Sequence, residues 1–132
     1  MKKNVKVLLL GHGSSLPFAK KNFQNLKKIL ATDYPTYIID LAFMTEGKDA
    51  LNEKIFSDLT EFIEKIIVVP VFLSHGVHTK KDIPKMLELD SENIRMIDFQ
   101  GRIIKLVYTE PLGIDSRISD IVKDRIQDAI SL

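Results

Sequence analysis

Along this chain, short apolar runs alternate with stretches in which apolar residues return every three or four positions. Residues 5–10 form the first run, and Gly11-His12-Gly13-Ser14-Ser15 is the turn that leaves it. Ala19, Phe23, Leu26 and Leu30 then recur at helical spacing, with most nearby lysines off that stripe, which predicts a helix starting near Pro17. Residues 37–44 predict a second strand with residues 45–48 as its exit loop, followed by a helix striped by Leu51, Ile55, Leu59 and Phe62. Residues 66–73 predict a third strand, residues 83–89 a short third helix, and residues 90–93 a turn. Residues 94–99 fit either a strand fragment or an extended link. Residues 103–108 predict a fourth strand and residues 110–113 its exit loop. Ile118, Ile121, Val122, Ile126 and Ala129 mark a closing helix.

Four strands alternating with helices call for an α/β fold, a single-domain, doubly wound parallel sheet spanning residues 1–132. Right-handed crossovers favour the strand order 2-1-3-4. That order reverses direction between strands one and three, and such sheets bind ligands beyond the carboxyl ends of the strands at the switch. The loops that meet there follow strands one and three.

Local punctuation refines the second of these loops. Asp82 as N-cap would put Pro84 within the first helical turn, where a missing N–H costs no bond. An earlier start would carry the proline ring into the helix interior. This predicts that His75 and His78 lie in the loop ahead of helix three. Phe23, Phe62 and Met86 are expected in the core.

Composition narrows the chemistry. Nineteen basic against eighteen acidic residues give no field for nucleic acid or a membrane surface. The start of the chain has no signal-like pattern, so a cytoplasmic protein is expected. With no cysteine, thiolate metal sites and cysteine nucleophiles are excluded, and any metal must be held by nitrogen and oxygen.

All three histidines fall in the two loops at the predicted crevice: His12 in one, His75 and His78 in the other. A single histidine is more often a satisfied structural side chain than a ligand, but three of three at one crevice weigh against that. Two imidazoles are too few for a closed zinc site and suit an open, exchangeable one. Gly11 and Gly13 serve a tight turn or a close backbone approach to a ligand, with the amides near Ser14 facing an anion. Gly-His-Gly-Ser is neither a nucleophile elbow nor a dinucleotide or P-loop fingerprint.

Residues 8–14 (Leu-Leu-Leu-Gly-His-Gly-Ser), 69–84 (Val-Pro-Val-Phe-Leu-Ser-His-Gly-Val-His-Thr-Lys-Lys-Asp-Ile-Pro) and 110–118 (Glu-Pro-Leu-Gly-Ile-Asp-Ser-Arg-Ile) together resemble the small, archaeal-type sirohydrochlorin cobalto-/nickelochelatases. The resemblance implies a chelatase-like fold, a homodimer, and insertion of Co2+ or Ni2+ into sirohydrochlorin for cobalamin or nickel-tetrapyrrole (coenzyme F430) biosynthesis. The metal is then a substrate, with no tightly bound cofactor. By position, His12 and His78 correspond to the family's metal-binding, catalytic histidines, and residues 73–77 (Leu73, Ser74, His75, Gly76, Val77) to its substrate-contacting loop. Ser14 and Lys48 are candidate partners for the carboxylate rim of the macrocycle, although a lysine beside a loop is more often solvated surface. Two positions depart from the pattern: Ser15 stands where an arginine often follows, and Thr45 stands where a glutamate often follows the methionine. A non-catalytic metal or tetrapyrrole carrier and a histidine-dependent phosphatase are the alternatives.

Overall fold

The computed structural model describes residues 3–13, 17–74 and 76–132, without the side chains of Phe18, Ala19, Val77, His78 and Thr79. The elements run β1 (Val5–Gly11), α1 (Pro17–Asp33), β2 (Tyr37–Phe43), α2 (Lys48–Phe56), β3 (Lys65–Pro70), α3 (Val77–Met86), β4 (Ile94–Phe99), β5 (Arg102–Tyr108) and α4 (Ser116–Ile130). They form one sheet in the order β2-β1-β3-β5-β4. The first four positions reproduce the order expected from the sequence, with β5 as the expected fourth strand. Those strands pair in parallel.

The sheet has five strands, not four. Residues 94–99 resolve as an antiparallel edge strand paired from Ile94↔Val107 to Phe99↔Arg102. The turn between them is Gln100-Gly101, with φ of +53° and +80°. Positive φ at both central residues is the two-residue hairpin geometry that matches strand twist. Sequence periodicity could not announce it, because β4 is half exposed and does not alternate cleanly.

One sheet face carries Leu8, Leu10, Ala42, Ile66, Val68, Ile104, Leu106 and Tyr108, packed against Leu51 and Ile55 of α2 and Ile83 and Leu87 of α3. α1 covers part of the opposite face, where Phe23 meets Phe43 edge-on at 5.2 Å. Lys6 stands fully buried among the apolar residues of the first face. Its ammonium donates to the Lys54 and Ser57 carbonyls and, at 3.1 Å, to Ser57 Oγ. It therefore caps the C-terminus of α2, where a cation opposes the helix dipole. Burial pulls its pKa below the ordinary lysine value, against the neighbouring Asp40.

That cap helps explain why α2 is shorter than its expected stripe. The chain turns extended at Ser57 and takes a positive φ at Asp58, so Leu59 and Phe62 lie beyond the helix. Ile63, not Phe62, enters the core, and Phe62 stays exposed. Met86 and Leu89 pack against the core from its edge.

Helix three also departs from expectation. It starts at Val77 with Gly76 as N-cap, five residues before Asp82, and Pro84 lies inside it. His78 is therefore the second residue of α3, not a loop residue. Ile83 and Leu87, one turn apart and both fully buried, fix the later turns on the sheet, and their packing outweighs the proline's cost. β3 in turn ends at Pro70, short of residue 73, because its pairing with β5 stops at Val68↔Tyr108 and with β1 at Leu10↔Pro70.

Candidate functional site

The strand exits are laced together at the carboxyl edge of the sheet. A Cβ on Gly11 would sit 2.7 Å from the Phe23 ring, so glycine lets α1 close over the end of β1. The next residue, His12, is exposed, and its carbonyl accepts the Thr45 N–H at 3.2 Å. Gly13 has φ +107°, and a Cβ there would overlap Thr45 Oγ1 and lie 2.9 Å from Thr45 Cγ2. Both glycines are thus required by contact, and the exit of β2 buttresses the His12 turn.

On the other side, the Val71 N–H donates to the Leu10 carbonyl at 2.9 Å. Residues 71–74 then carry the chain toward the start of α3. The exit of β5 runs beside this segment: Thr109 N–H to Val68 O (3.0 Å), Leu112 N–H to Phe72 O (3.0 Å) and Gly113 N–H to Leu73 O (2.8 Å). Exits of β2, β1, β3 and β5 thereby form one platform. The first turn of α3 opens on it, and N-terminal helix amides favour anions.

Leu73 and Ser74, both exposed, line a cavity of about 700 Å³ with Gly113, Ile114, Ile118 and Val122. Asp115, Ser119 and Lys123 add polar atoms to its wall. The size suits a substrate-scale ligand. Asp115 caps α4 by accepting the Arg117 N–H at 2.9 Å, and the Arg117 guanidinium grips the same carboxylate at 2.8 and 2.7 Å. These bonds hold the Asp115 carboxyl well below the usual carboxylate range.

Of the residues expected at the site, His12 directly follows β1, Leu73, Ser74 and Gly76 lie on the segment leading from the neighbouring β3 to α3, and His78 is the second residue of that helix. Ser14 and His75 fall outside the described residues, as do the side chains of Val77 and His78. Lys48 is exposed at the first position of α2 and does not line the cavity. Among the described residues, no group of three or more His, Cys, Asp or Glu could hold a metal ion. Sequence reasoning missed Thr45 as a buttress and Ile114, Ile118, Val122 and Lys123 as a wall. Ile114 and Ile118 were within reach, since residues 110–118 formed a recognisable motif whose contacts were not assigned.

A doubly wound α/β protein whose first and third strand exits lie side by side is the class defined by this geometry. The chain belongs to the CbiX family, whose model matches residues 6–129. The sirohydrochlorin cobaltochelatase of Methanothermobacter thermautotrophicus is 39% identical, the match covering 98% of this chain and 95% of that protein. That of Methanosarcina barkeri is 35% identical over 98% of this chain and all of its own length. The crystal structure of a CbiX protein from Marinobacter aquaeolei VT8 matches with a TM-score of 0.63 at 23% identity, over 96% of this chain and 98% of that one. That likeness concerns the fold.

Proposed function

We propose that this protein inserts cobalt(II) into sirohydrochlorin, with His12 and His78 holding the ion and accepting pyrrole protons. The observation that carries the reading is the parallel pairing of β1, which runs into His12, with β3, whose exit leads on to the helix bearing His78, in a chain whose relatives over nearly its whole length are named sirohydrochlorin cobaltochelatases.

The chemistry follows from the groups available. Metal insertion must strip water from a divalent cation and remove two N–H protons from the macrocycle. Imidazole nitrogens bind cobalt and nickel well and leave other coordination positions to the incoming ring nitrogens. Imidazole also titrates near neutrality, which suits it to accept a proton as each ring nitrogen loses one. His12 is suited to the proton-accepting role because it stands exposed on a turn fixed by the Thr45 N–H.

The macrocycle needs an apolar bed and an anion-seeking rim. Leu73, Ile114, Ile118 and Val122 supply the first. Ser74, Lys123 and the opening amides of α3 supply the second, toward the carboxylates of sirohydrochlorin. Nickel enters by the same donor set, and the order of affinities does not separate the two ions.

An absorbance time course of sirohydrochlorin with Co2+ or Ni2+, with and without protein, tests the reading. Catalytic acceleration supports it, and the relative rates rank the metals. A stoichiometric spectral shift without acceleration would instead describe a carrier. Turnover of a generic phosphate ester, lost in His12→Ala, would describe a phosphatase.

A further inference from the structure

A second cleft, polar and about 370 Å³ in volume, runs along the free edge of the sheet at β2. β2 floors it, α1 brings Lys20 and Lys27 to one wall, and α2 brings Lys54 to the other. β2 and β5 lie on opposite sides of β1 in the sheet, so this cleft and the apolar cavity at the β5 exit flank the His12 turn. Its upper end lies beside that turn. Phe43 stands opposite Gly11 in the strand register, and the Thr45 N–H, two residues on, bonds the His12 carbonyl at 3.2 Å.

The cleft holds more positive charge than its carboxylates answer. Lys27 and Lys54 approach one oxygen, Asp40 Oδ1, at 3.9 and 3.7 Å, and the same oxygen already accepts the Leu41 N–H at 2.8 Å. Both lysine side chains are 43% exposed, which leaves room at each ammonium for a further anion. The buried Lys6 faces Asp40 as well. Lys20 stands seven residues before Lys27, about 10 Å along α1 toward its start, which follows the His12 turn. Glu46 is the other carboxylate in the wall. The chain as a whole carries a formal charge of only +1, so the excess is local.

We propose that this cleft is the first-contact site for a polycarboxylate substrate, drawing its carboxylates along the lysine row to the His12 turn before the macrocycle settles on the apolar bed. The inference rests on the chelatase reading for the identity of that substrate. A cleft walled by protein and carrying one sign of charge in excess focuses its field and raises the rate of encounter with an opposite charge. That field reaches about 10 Å at 0.1 M salt, which spans the distance from Lys27 to Lys20. Charged side chains also guard an edge strand against pairing. Asp40 serves that purpose by capping the Leu41 N–H, and it does not require lysines brought in from two helices.

The test follows metal-free sirohydrochlorin by stopped-flow fluorescence and, separately, cobalt insertion, each across a salt series. It compares the wild type with Lys20→Gln/Lys27→Gln, with Lys20→Arg/Lys27→Arg, and with Lys28→Gln, which is exposed on α1 outside the cleft. At about 20 mM salt the Gln pair should lower the association rate and the insertion kcat/KM about tenfold and leave kcat unchanged. The gap should close by about 0.5 M salt, where screening is nearly complete. The Arg pair and Lys28→Gln should match the wild type. A wild-type association rate that is absent or indifferent to salt, an unchanged rate in the Gln pair, or an equal loss in Lys28→Gln would overturn the proposal. Lysine-dependent association without cobalt insertion would keep the cleft and refute the chelatase reading. Insertion with unaltered association in the Gln pair would do the reverse.

Discussion

Gly13→Ala is the sharpest test of how the His12 turn is held. At φ +107° a side chain strains the backbone, which costs about 1–3 kcal/mol. The new methyl would also overlap Thr45, and crowding of this kind adds about 1–3 kcal/mol. Rotating Thr45 relieves only part of the overlap, because its Cβ lies 3.0 Å from the added atom whatever the rotamer. The loop must therefore shift, the bond from Thr45 N–H to His12 O lengthens, and the imidazole moves with its backbone. Loss of about 2 kcal/mol in urea unfolding and about tenfold or more in cobalt-insertion kcat/KM is expected. Thr45→Ala in the same chain removes Oγ1 and Cγ2 and should restore about 1 kcal/mol of the overlap, but not the φ strain. Near wild-type stability and rate in Gly13→Ala, or strictly additive effects in the double variant, would refute the packing argument.

Other outcomes follow from buried polar groups. Lys6→Met should destabilise the protein by about 2 kcal/mol in urea, because the α2 carbonyls lose a charged donor while the relief of burying a cation returns only part of the loss. Burial, assisted by the charge of Glu110, pushes the Tyr108 phenol above its ordinary value. The folded state then holds this proton more tightly than the unfolded chain, so its contribution is complete below pH about 10 and is lost as pH rises further. The wild type should lose about 1 kcal/mol more than Tyr108→Phe between pH 9 and 11, a value reduced because the residue borders an open cleft with Lys80 and Glu110. Parallel pH profiles for the two proteins would contradict this.

Much of the fold was legible because its signals were local. Apolar runs at β1, β2, β3 and β5 and the stripe of α1 declared themselves, and crossover rules then fixed which exits meet. What failed depended on distant contacts. The start of α3 was misjudged because Pro84 is unfavourable locally, while Ile83 and Leu87 win the helix through packing no local rule contains. α2 stops early where Lys6, some fifty positions away, caps it. The stripe of α4 was readable, but in the structure no residue of that helix is buried. At the site, the His12 turn could be found from the placement of Gly11 and Gly13, whereas His78 was expected in a loop and lies in α3. Thr45 was visible only as a departure from a pattern, and its contact with Gly13 needed coordinates.

The most direct measurement is the initial rate of cobalt insertion into sirohydrochlorin by the wild type, His12→Ala and His78→Ala, each first shown to unfold at the wild-type urea midpoint. Loss of a proton acceptor that also holds the metal should slow each variant by about a hundredfold or more. A folded His12→Ala protein that inserts cobalt at close to the wild-type rate would contradict the assignment of the metal and proton chemistry to this turn.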